Sequence, residues 1–209
     1  MNENFDNYNP VIDGKGKVIN PGTWSESRLS TEEEVLAELK LKAEYPEEEL
    51  KTKPNSSESL IQIYDFFREN IHNPKRVFYP CCYLDVSPIK GFPESEVILM
   101  DKEKGLEEKM RQEGITQFIQ GDVLKYTPET PFDLVIALNP CLTSKDLTRH
   151  LSNRGYVLAN NWHNNASQLL EDSDFEGIGT IDKNKNKVYL ARKDLSKLEP
   201  GYYVFRKLK

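Results

Sequence analysis

The chain has 209 residues, enough for one α/β domain of about 130 to 150 residues and a smaller appendage. Its net charge of −6 argues against a protein whose main task is to bind nucleic acid, because such proteins neutralise phosphates with a basic stripe. Its apolar runs are far shorter than the roughly 20 residues of a membrane-spanning helix, and the first residues lack the apolar core of a signal peptide. Its three cysteines form a poor disulfide framework. We therefore expect a protein of the cytoplasm that contacts no membrane.

The first 51 residues carry weak structural signals. Residues 1–29 show neither a helical nor a strand period and are interpreted as an irregular arm. A capping box from Ser30 to Glu33 predicts a helix over about residues 31–44. Acids outnumber lysines over residues 31–51, which is typical of a solvated helix face, with a partner-binding surface as the alternative.

A second helix is predicted to start at Asn55, with Glu58 at its third position. Its apolar residues recur at spacings of three and four and form one stripe, made of Leu60, Ile63, Tyr64, Phe67 and Ile71. A stripe of this width must dock on a larger apolar surface.

From Arg76 onward, short apolar runs alternate with amphipathic stretches, a pattern typical of a parallel sheet with helices on its faces. The predicted strands are 77–79, 97–100, 117–119, 134–138, 156–159, 177–181 and 202–205. The predicted helices are 104–113, 144–151 with Ser144 as its cap, and 164–172. A polar turn at 182–187 precedes an extra strand or insertion at 187–191.

Polar residues follow two of these apolar runs. Asp101 closes the run 97–100, and Asn139 with Pro140 closes the run 134–138. Because ligands of open α/β sheets bind at the carboxyl ends of the strands, an acid there can meet ribose hydroxyls and an Asn amide can face a substrate.

The order and spacing of several short motifs resemble the class I S-adenosylmethionine-dependent methyltransferase family. These motifs are Asp101, Gly121-Asp122, Asn139-Pro140, the run 155–160 and the terminal run 202–207. The resemblance covers roughly residues 75–209, which implies a division into an N-terminal arm with helices (1–74) and a methyltransferase-like α/β domain (75–209). It implies a three-layer Rossmann-like fold with a mostly parallel seven-stranded sheet whose last strand is antiparallel.

The resemblance implies S-adenosylmethionine as the cofactor. Asp101 would accept hydrogen bonds from its ribose, and Asp122, after Gly121, would accept one from the adenine amino group; an ionised carboxylate, which only accepts, suits both roles. The alternatives are a helix N-cap for Asp101 and a turn residue for Asp122.

The stretch 79–88 lies where the family's glycine-rich signature belongs and resembles the variant Tyr-Pro-Gly-x-Gly-x-Asp-x-Ser-Pro. The resemblance makes five residues candidates for cofactor binding: Tyr79, Pro80, Cys81, Tyr83 and Asp85. Cys81 and Tyr83 replace the two glycines, and a side chain there opposes both a positive φ and a close approach of the backbone to the ligand. Either the cofactor is held differently or it is not held. The helix that follows, with Ser87 as its cap, is expected to end within about two turns at Gly91.

The stretch from Asn139 to Leu142 is similar to the Asn-Pro-Pro-aromatic motif of methyltransferases that act on exocyclic amino groups, without its second proline and aromatic residue. Asn139 is therefore a candidate for both cofactor and substrate contact, with a strand-ending turn as the alternative, and nucleic-acid methylation is not favoured. His163, after the fifth predicted strand, is the candidate base. His163 and the three cysteines (Cys81, Cys82 and Cys141) form a possible set of zinc ligands. Buried thiols are the commoner outcome, so no metal site is predicted.

The sequence thus predicts a methyltransferase that uses S-adenosylmethionine and acts on an unidentified small molecule or protein, since fold resemblance does not supply the substrate. The alternative is a non-catalytic relative that has lost cofactor binding and serves as a binding or scaffolding module. Cys81 and Tyr83 favour the alternative, whereas Asp101, Asp122 and Asn139 favour the enzyme.

Overall fold

The computed structural model describes residues 53–138, 140, 142–184, 187–191, 198 and 201–209, and the backbone of two short N-terminal strands. The chain divides into two compact units, residues 1–51 and 52–209. In the first unit, β1 (Val11–Ile12) pairs antiparallel with β2 (Val18–Ile19), in a stretch for which the sequence predicted no strand. The predicted helix over 31–44 and the acidic segment 31–51 lie outside the described residues.

The described part of the second unit contains eight strands in one sheet and five helices. They are α1 (Glu58–Asn70), β3 (Arg76–Pro80), α2 (Ser87–Gly91), β4 (Glu96–Asp101), α3 (Leu106–Gln112), β5 (Phe118–Gln120), β6 (Phe132–Ala137), α4 (Ser144–Thr148), β7 (Leu151–Ala159), α5 (Asn165–Glu171), β8 (Phe175–Asn184), β9 (Lys187–Ala191) and β10 (Tyr202–Lys207). The sequence boundary at residue 74 separates α1 from the strands, whereas the structure includes α1 in the second unit. No helix among the described residues is long and apolar enough to cross a membrane.

The sheet has the strand order β5-β4-β3-β6-β7-β10-β8-β9. Strands β3 to β7 are parallel, and β10 pairs antiparallel with both β7 and β8. The prediction of a mostly parallel, Rossmann-like sheet with an antiparallel last strand is confirmed. The expected count of seven strands becomes eight, because 187–191 forms β9, which pairs with β8 at the edge of the sheet.

The central strands are buried on both faces, which explains why their sequences are continuous apolar runs. Val77 and Phe78 of β3 are fully buried, as is the stretch 134–137 of β6. On one face, Phe78 and Val157 belong to the same apolar core as Ala166 and Leu169 of α5. On the other face, the rings of Phe67 in α1 and Tyr156 in β7 meet edge to face, 5.8 Å apart. Helices therefore cover both faces of the sheet, which makes the fold three-layered.

The stripe of α1 docks as predicted, with Ile63, Tyr64 and Phe67 buried. The helix begins later than expected, because Ser57 rather than Asn55 is the N-cap and accepts a hydrogen bond from the Leu60 amide at 3.4 Å. At Gly91, the last residue of α2, an added Cβ would lie 2.4 Å from Cβ of Tyr64. Only glycine lets α1 and α2 approach this closely.

Two helices differ from the sequence prediction. Helix α2 is as short as expected, but Val86 rather than Ser87 is its N-cap. Helix α4 ends at Thr148, three residues before the predicted end, because Leu151 pairs with Phe132 as the first residue of β7. Its N-cap is Thr143 rather than Ser144, since the Thr143 side chain accepts a hydrogen bond from the Asp146 amide at 3.2 Å.

Candidate functional site

The loop that follows β3, residues 81–86, adopts the backbone of a glycine-rich turn without containing glycine. Cys81 has a φ of 56° and Tyr83 a φ of 48°. This left-handed region costs an ordinary residue roughly 1 to 2 kcal/mol. Both residues stand where the resembling signature has glycine, so the structure keeps the turn and adds two side chains to it. Tyr83 is 41% exposed.

Hydrogen bonds that the loop amides donate to β4 hold this loop. The Cys82 amide donates to the carbonyl of Met100 at 3.3 Å, and the Tyr83 amide donates to Oδ2 of Asp101 at 2.9 Å. Within the loop, the Asp85 amide donates to the Cys82 carbonyl at 2.9 Å. These contacts come from a neighbouring strand and can stabilise a conformation that the local sequence disfavours.

The Asp101 carboxylate lies between the loop and the turn that follows β4. Its Oδ1 accepts a hydrogen bond from the Glu103 amide at 3.0 Å, and its Oδ2 accepts the one from Tyr83. The N-cap of α3 is Gly105, so Asp101 closes a turn and does not cap the helix. A carboxylate offers about four lone-pair positions, which leaves acceptor capacity beside these two bonds.

Asp85 makes its hydrogen bonds inside the protein. Its Oδ2 accepts from the Tyr79 hydroxyl at 3.2 Å, and its Oδ1 accepts from both the amide (2.9 Å) and the hydroxyl of Ser87. Burial raises the pKa of Asp85, and the bonds from Ser87 and Tyr79 partly oppose that shift. Because three donors converge on it, Asp85 fixes the loop from within.

Gly121 and Asp122 follow β5 at the same edge of the sheet. The Gly121 amide donates to the Asp101 carbonyl at 2.8 Å, which places Gly121 beside the end of β4. Oδ1 of Asp122 accepts from the Leu124 amide at 3.0 Å, and the Asp122 carbonyl accepts from the Lys125 amide at 2.9 Å. The turn that the sequence offered as an alternative for Asp122 is present, and the adenine contact stays a prediction.

The carboxyl ends of β6 and β7 carry the remaining candidates. Asn139 and Cys141 lie outside the described residues, and so does any zinc set that includes Cys141. The carbonyl of Leu142 accepts a hydrogen bond from Nδ2 of Asn165 at 2.8 Å, which ties the segment after β6 to α5. His163 is half-buried, and burial lowers its pKa, so its imidazole is neutral and can accept a proton at neutral pH.

Cys82 is a buried thiol. Burial is the largest cause that raises its pKa, and the nearby carboxylates of Asp101 and Asp85 raise it further. A thiol held protonated in this way is a poor nucleophile and a poor metal ligand. Among the residues that the structure describes, no three His, Cys, Asp or Glu side chains are grouped as metal ligands.

Four residues around Asp85 were not singled out from the sequence as parts of a site: Ser57, Tyr64, Ser87 and Tyr202. Burial raises the pKa of Tyr64 and Tyr202, and the negative charge of Asp85 adds to both shifts. The Tyr64 hydroxyl is fully buried without a hydrogen-bond partner among the described residues. The sequence predicts Tyr64 as a core residue in the apolar stripe of α1, and nothing in the sequence indicates that Tyr64 lies near Asp85. The Asp-x-Ser spacing from 85 to 87 is a local signal for the Ser87 contact.

The structure thus gathers the ends of β3, β4 and β5 at one sheet edge, with Tyr83, Asp101 and Gly121 joined by hydrogen bonds. Tyr79, Pro80, Cys81 and Asp85 belong to the same strand end and loop.

Comparisons with solved structures agree with this topology. The chain is similar to the N-methyltransferase NodS from Bradyrhizobium japonicum WM9 in complex with S-adenosyl-l-homocysteine, with a TM-score of 0.54 and 10% identity over 83% of this chain and 98% of that chain. It is also similar to cofactor-bound Rv0187 from MTB, with a TM-score of 0.51 and 10% identity over 92% of this chain and 100% of that chain. No protein-family model and no curated protein sequence matches the chain. The chain has a class I methyltransferase-like fold.

Proposed function

We propose that this protein is a cytoplasmic methyltransferase that uses S-adenosylmethionine and acts on a small molecule or a protein. The observation that carries the proposal is the loop after β3. Cys81 and Tyr83 keep positive φ values of 56° and 48°, and strained backbone of this kind clusters at active sites and ligand sites. The loop is bonded to Asp101, the carboxylate at the end of the next strand.

The residues at this edge fit such a cofactor. Asp101 keeps acceptor capacity for ribose hydroxyls, and Asp122 keeps a second carboxylate oxygen beside the one bonded to Leu124. The backbone of residues 79–83 runs through the turn that approaches a bound ligand in the resembling family. In this proposal Asp101 and Asp122 bind the nucleoside, and the loop residues line its cleft.

A sulfonium cofactor supplies an electrophilic methyl group, and transfer needs mainly in-line positioning of the acceptor. Asn139 is the candidate for orienting the acceptor. His163, kept neutral by burial, is the candidate that removes a proton when the acceptor must lose one. The net charge of −6 favours a substrate other than nucleic acid.

The alternative is a non-catalytic protein that keeps the fold and has lost the cofactor. Two observations favour it: the side chains of Cys81 and Tyr83 stand where glycines let the backbone approach a ligand, and Asp101 already accepts two backbone hydrogen bonds. On this alternative the strained loop is a remnant held by β4.

Equilibrium dialysis with radiolabelled S-adenosylmethionine, competed with S-adenosylhomocysteine, separates the two. Saturable micromolar binding that the competitor displaces supports the enzyme. The absence of binding at millimolar ligand overturns that proposal and favours the non-catalytic alternative. An Asn70→Ala variant, changed on the exposed surface of α1, provides a control for the folded protein.

A further inference from the structure

Residues 53–57, here called the strap, lie along the loop 81–86. The Asn55 amide donates to the Leu84 carbonyl at 2.9 Å, and the Val86 amide donates to the Asn55 carbonyl at 2.9 Å. These two bonds pair Asn55 with Asp85 as in a parallel bridge. The strap therefore pairs with the loop immediately before α1 begins.

A second link between the strap and the loop runs through Ser87. The Ser57 amide donates to Oγ of Ser87 at 2.8 Å, and the Ser87 hydroxyl donates to Oδ1 of Asp85. A serine hydroxyl has one proton, so its donation to Asp85 turns its lone pairs toward Ser57. The Asp85 carboxylate thereby sets the orientation in which the Ser87 hydroxyl accepts the hydrogen bond from the Ser57 amide.

The other oxygen of Asp85 ties this arrangement to the sheet. Oδ2 accepts from the hydroxyl of Tyr79, the penultimate residue of β3. Tyr79 and Ser87 are buried, so loss of the carboxylate would leave both hydroxyls without their acceptor. An unsatisfied buried donor is costly, and the surrounding chain is expected to rearrange to avoid it.

We propose that Asp85 is a positioning residue, which holds the loop 81–86 and the strap in one arrangement through Tyr79 and Ser87. This inference rests on the proposed function and deepens it: Asp85 sets cofactor affinity through the loop that carries Cys81 and Tyr83, without touching the cofactor. Its role differs from that of Asp101, which faces the ligand.

The test compares Asp85→Ala and Asp85→Asn with the control Asp133→Ala. Oδ2 of Asp133 also accepts two backbone hydrogen bonds, from the amides of Lys75 (2.9 Å) and Arg76 (3.0 Å), but at the amino end of β3. Amide hydrogen exchange is measured over residues 53–57 and 81–87 and over residues 204–206 of β10 as a reference. The affinity for S-adenosylhomocysteine is measured on the same samples.

In Asp85→Ala, exchange over both the strap and the loop is expected to rise about tenfold relative to residues 204–206 of β10, and S-adenosylhomocysteine affinity to fall about tenfold. Asp85→Asn, which keeps one oxygen for Ser87, is expected to lie between Ala and the wild type and also serves if the Ala variant does not fold. Asp133→Ala is expected to leave both quantities unchanged.

Unchanged exchange in Asp85→Ala overturns the inference. A loss of affinity without faster exchange also overturns it, because it assigns Asp85 a direct ligand contact. If the wild type binds no S-adenosylhomocysteine, the proposed function fails, and the exchange measurement alone decides whether Asp85 positions the loop.

Discussion

The backbone amide of Tyr83 donates a 2.9 Å hydrogen bond to Oδ2 of Asp101, which joins the loop after β3 to the end of β4. The same carboxylate accepts from the Glu103 amide through Oδ1. One side chain therefore shapes the loop and faces the edge of the sheet where a ligand of this fold binds. A change at Asp101 is expected to act on stability as well as on affinity.

Replacing Tyr83 tests how its backbone conformation affects stability and how its ring affects cofactor binding. Tyr83→Gly relieves the left-handed strain and adds chain entropy to the unfolded state, so we expect a gain of up to about 1 kcal/mol in the free energy of unfolding. If the loop residues line the cofactor cleft as proposed, removal of the ring is expected to raise cofactor affinity, and no gain in affinity would contradict obstruction by the ring. Urea denaturation and ligand titration measure the two quantities.

Tyr83→Ala is the matched control, because it removes the ring and keeps the strained φ of 48°. We expect it to be less stable than Tyr83→Gly. Equal stability of the two variants would show that the strain at this position is no larger than the cost of the chain entropy that glycine adds.

Asn165 is expected to stabilise the segment after β6. It is fully buried, and its Nδ2 donates to the Leu142 carbonyl at 2.8 Å. Asn165→Ala is expected to lower the free energy of unfolding by about 1 to 3 kcal/mol, because the Leu142 carbonyl loses a donor that is held in a part-buried position. Asn70 also donates to a backbone carbonyl, that of Phe66 at 3.0 Å, but on the surface, and Asn70→Ala is expected to change stability by less than about 0.5 kcal/mol. Equal effects in the two variants would contradict the role of burial.

The histidines predict a loss of stability in mild acid. Burial lowers the pKa of His72, His150 and His163. A histidine whose pKa is lower in the folded state stabilises the protein above the unfolded-state pKa of about 6.5, and this contribution is lost as the pH falls toward the folded-state pKa. The urea midpoint of the wild type is therefore expected to fall between pH 7.5 and pH 5.5.

His150→Gln isolates one of these groups. Nε2 of His150 accepts from Nε of Arg149 at 3.0 Å, and a glutamine can supply an uncharged acceptor in its place. The decrease between the two pH values is expected to be smaller in the variant than in the wild type. A decrease of the same size would assign the acid sensitivity to other groups.

Most of the sheet followed from the sequence because its central strands are short, continuous apolar runs. The end of α4 did not follow, because Leu151 suits a helix stripe as well as a strand. Its pairing with Phe132, a contact between distant parts of the chain, decides between them. Local patterns carry no information about such partners.

The candidate site stays a prediction, but the structure shows how the loop within it is held. Glycine rules flagged Cys81 and Tyr83 as obstacles to the turn, yet the turn forms because Met100 and Asp101 hold it from the neighbouring strand. The resemblance assigned Asp85 to the cofactor, and the structure directs its carboxylate to Tyr79 and Ser87. Sequence spacing does not encode the bonds to β4 or the bond from Tyr79, whereas the Asp-x-Ser spacing does indicate the Ser87 contact. The cofactor role of Asp85 stays a prediction.

The most direct measurement is a calorimetric titration of the wild type and Asp101→Ala with S-adenosylhomocysteine, side by side, with the unfolding free energy of both recorded. We predict micromolar binding to the wild type, and binding to the variant that is weaker by about 1 to 3 kcal/mol through the lost ribose hydrogen bonds. The absence of binding to the wild type at millimolar ligand, or equal affinity of the two proteins, would contradict the account of Asp101 and the loop as a cofactor site.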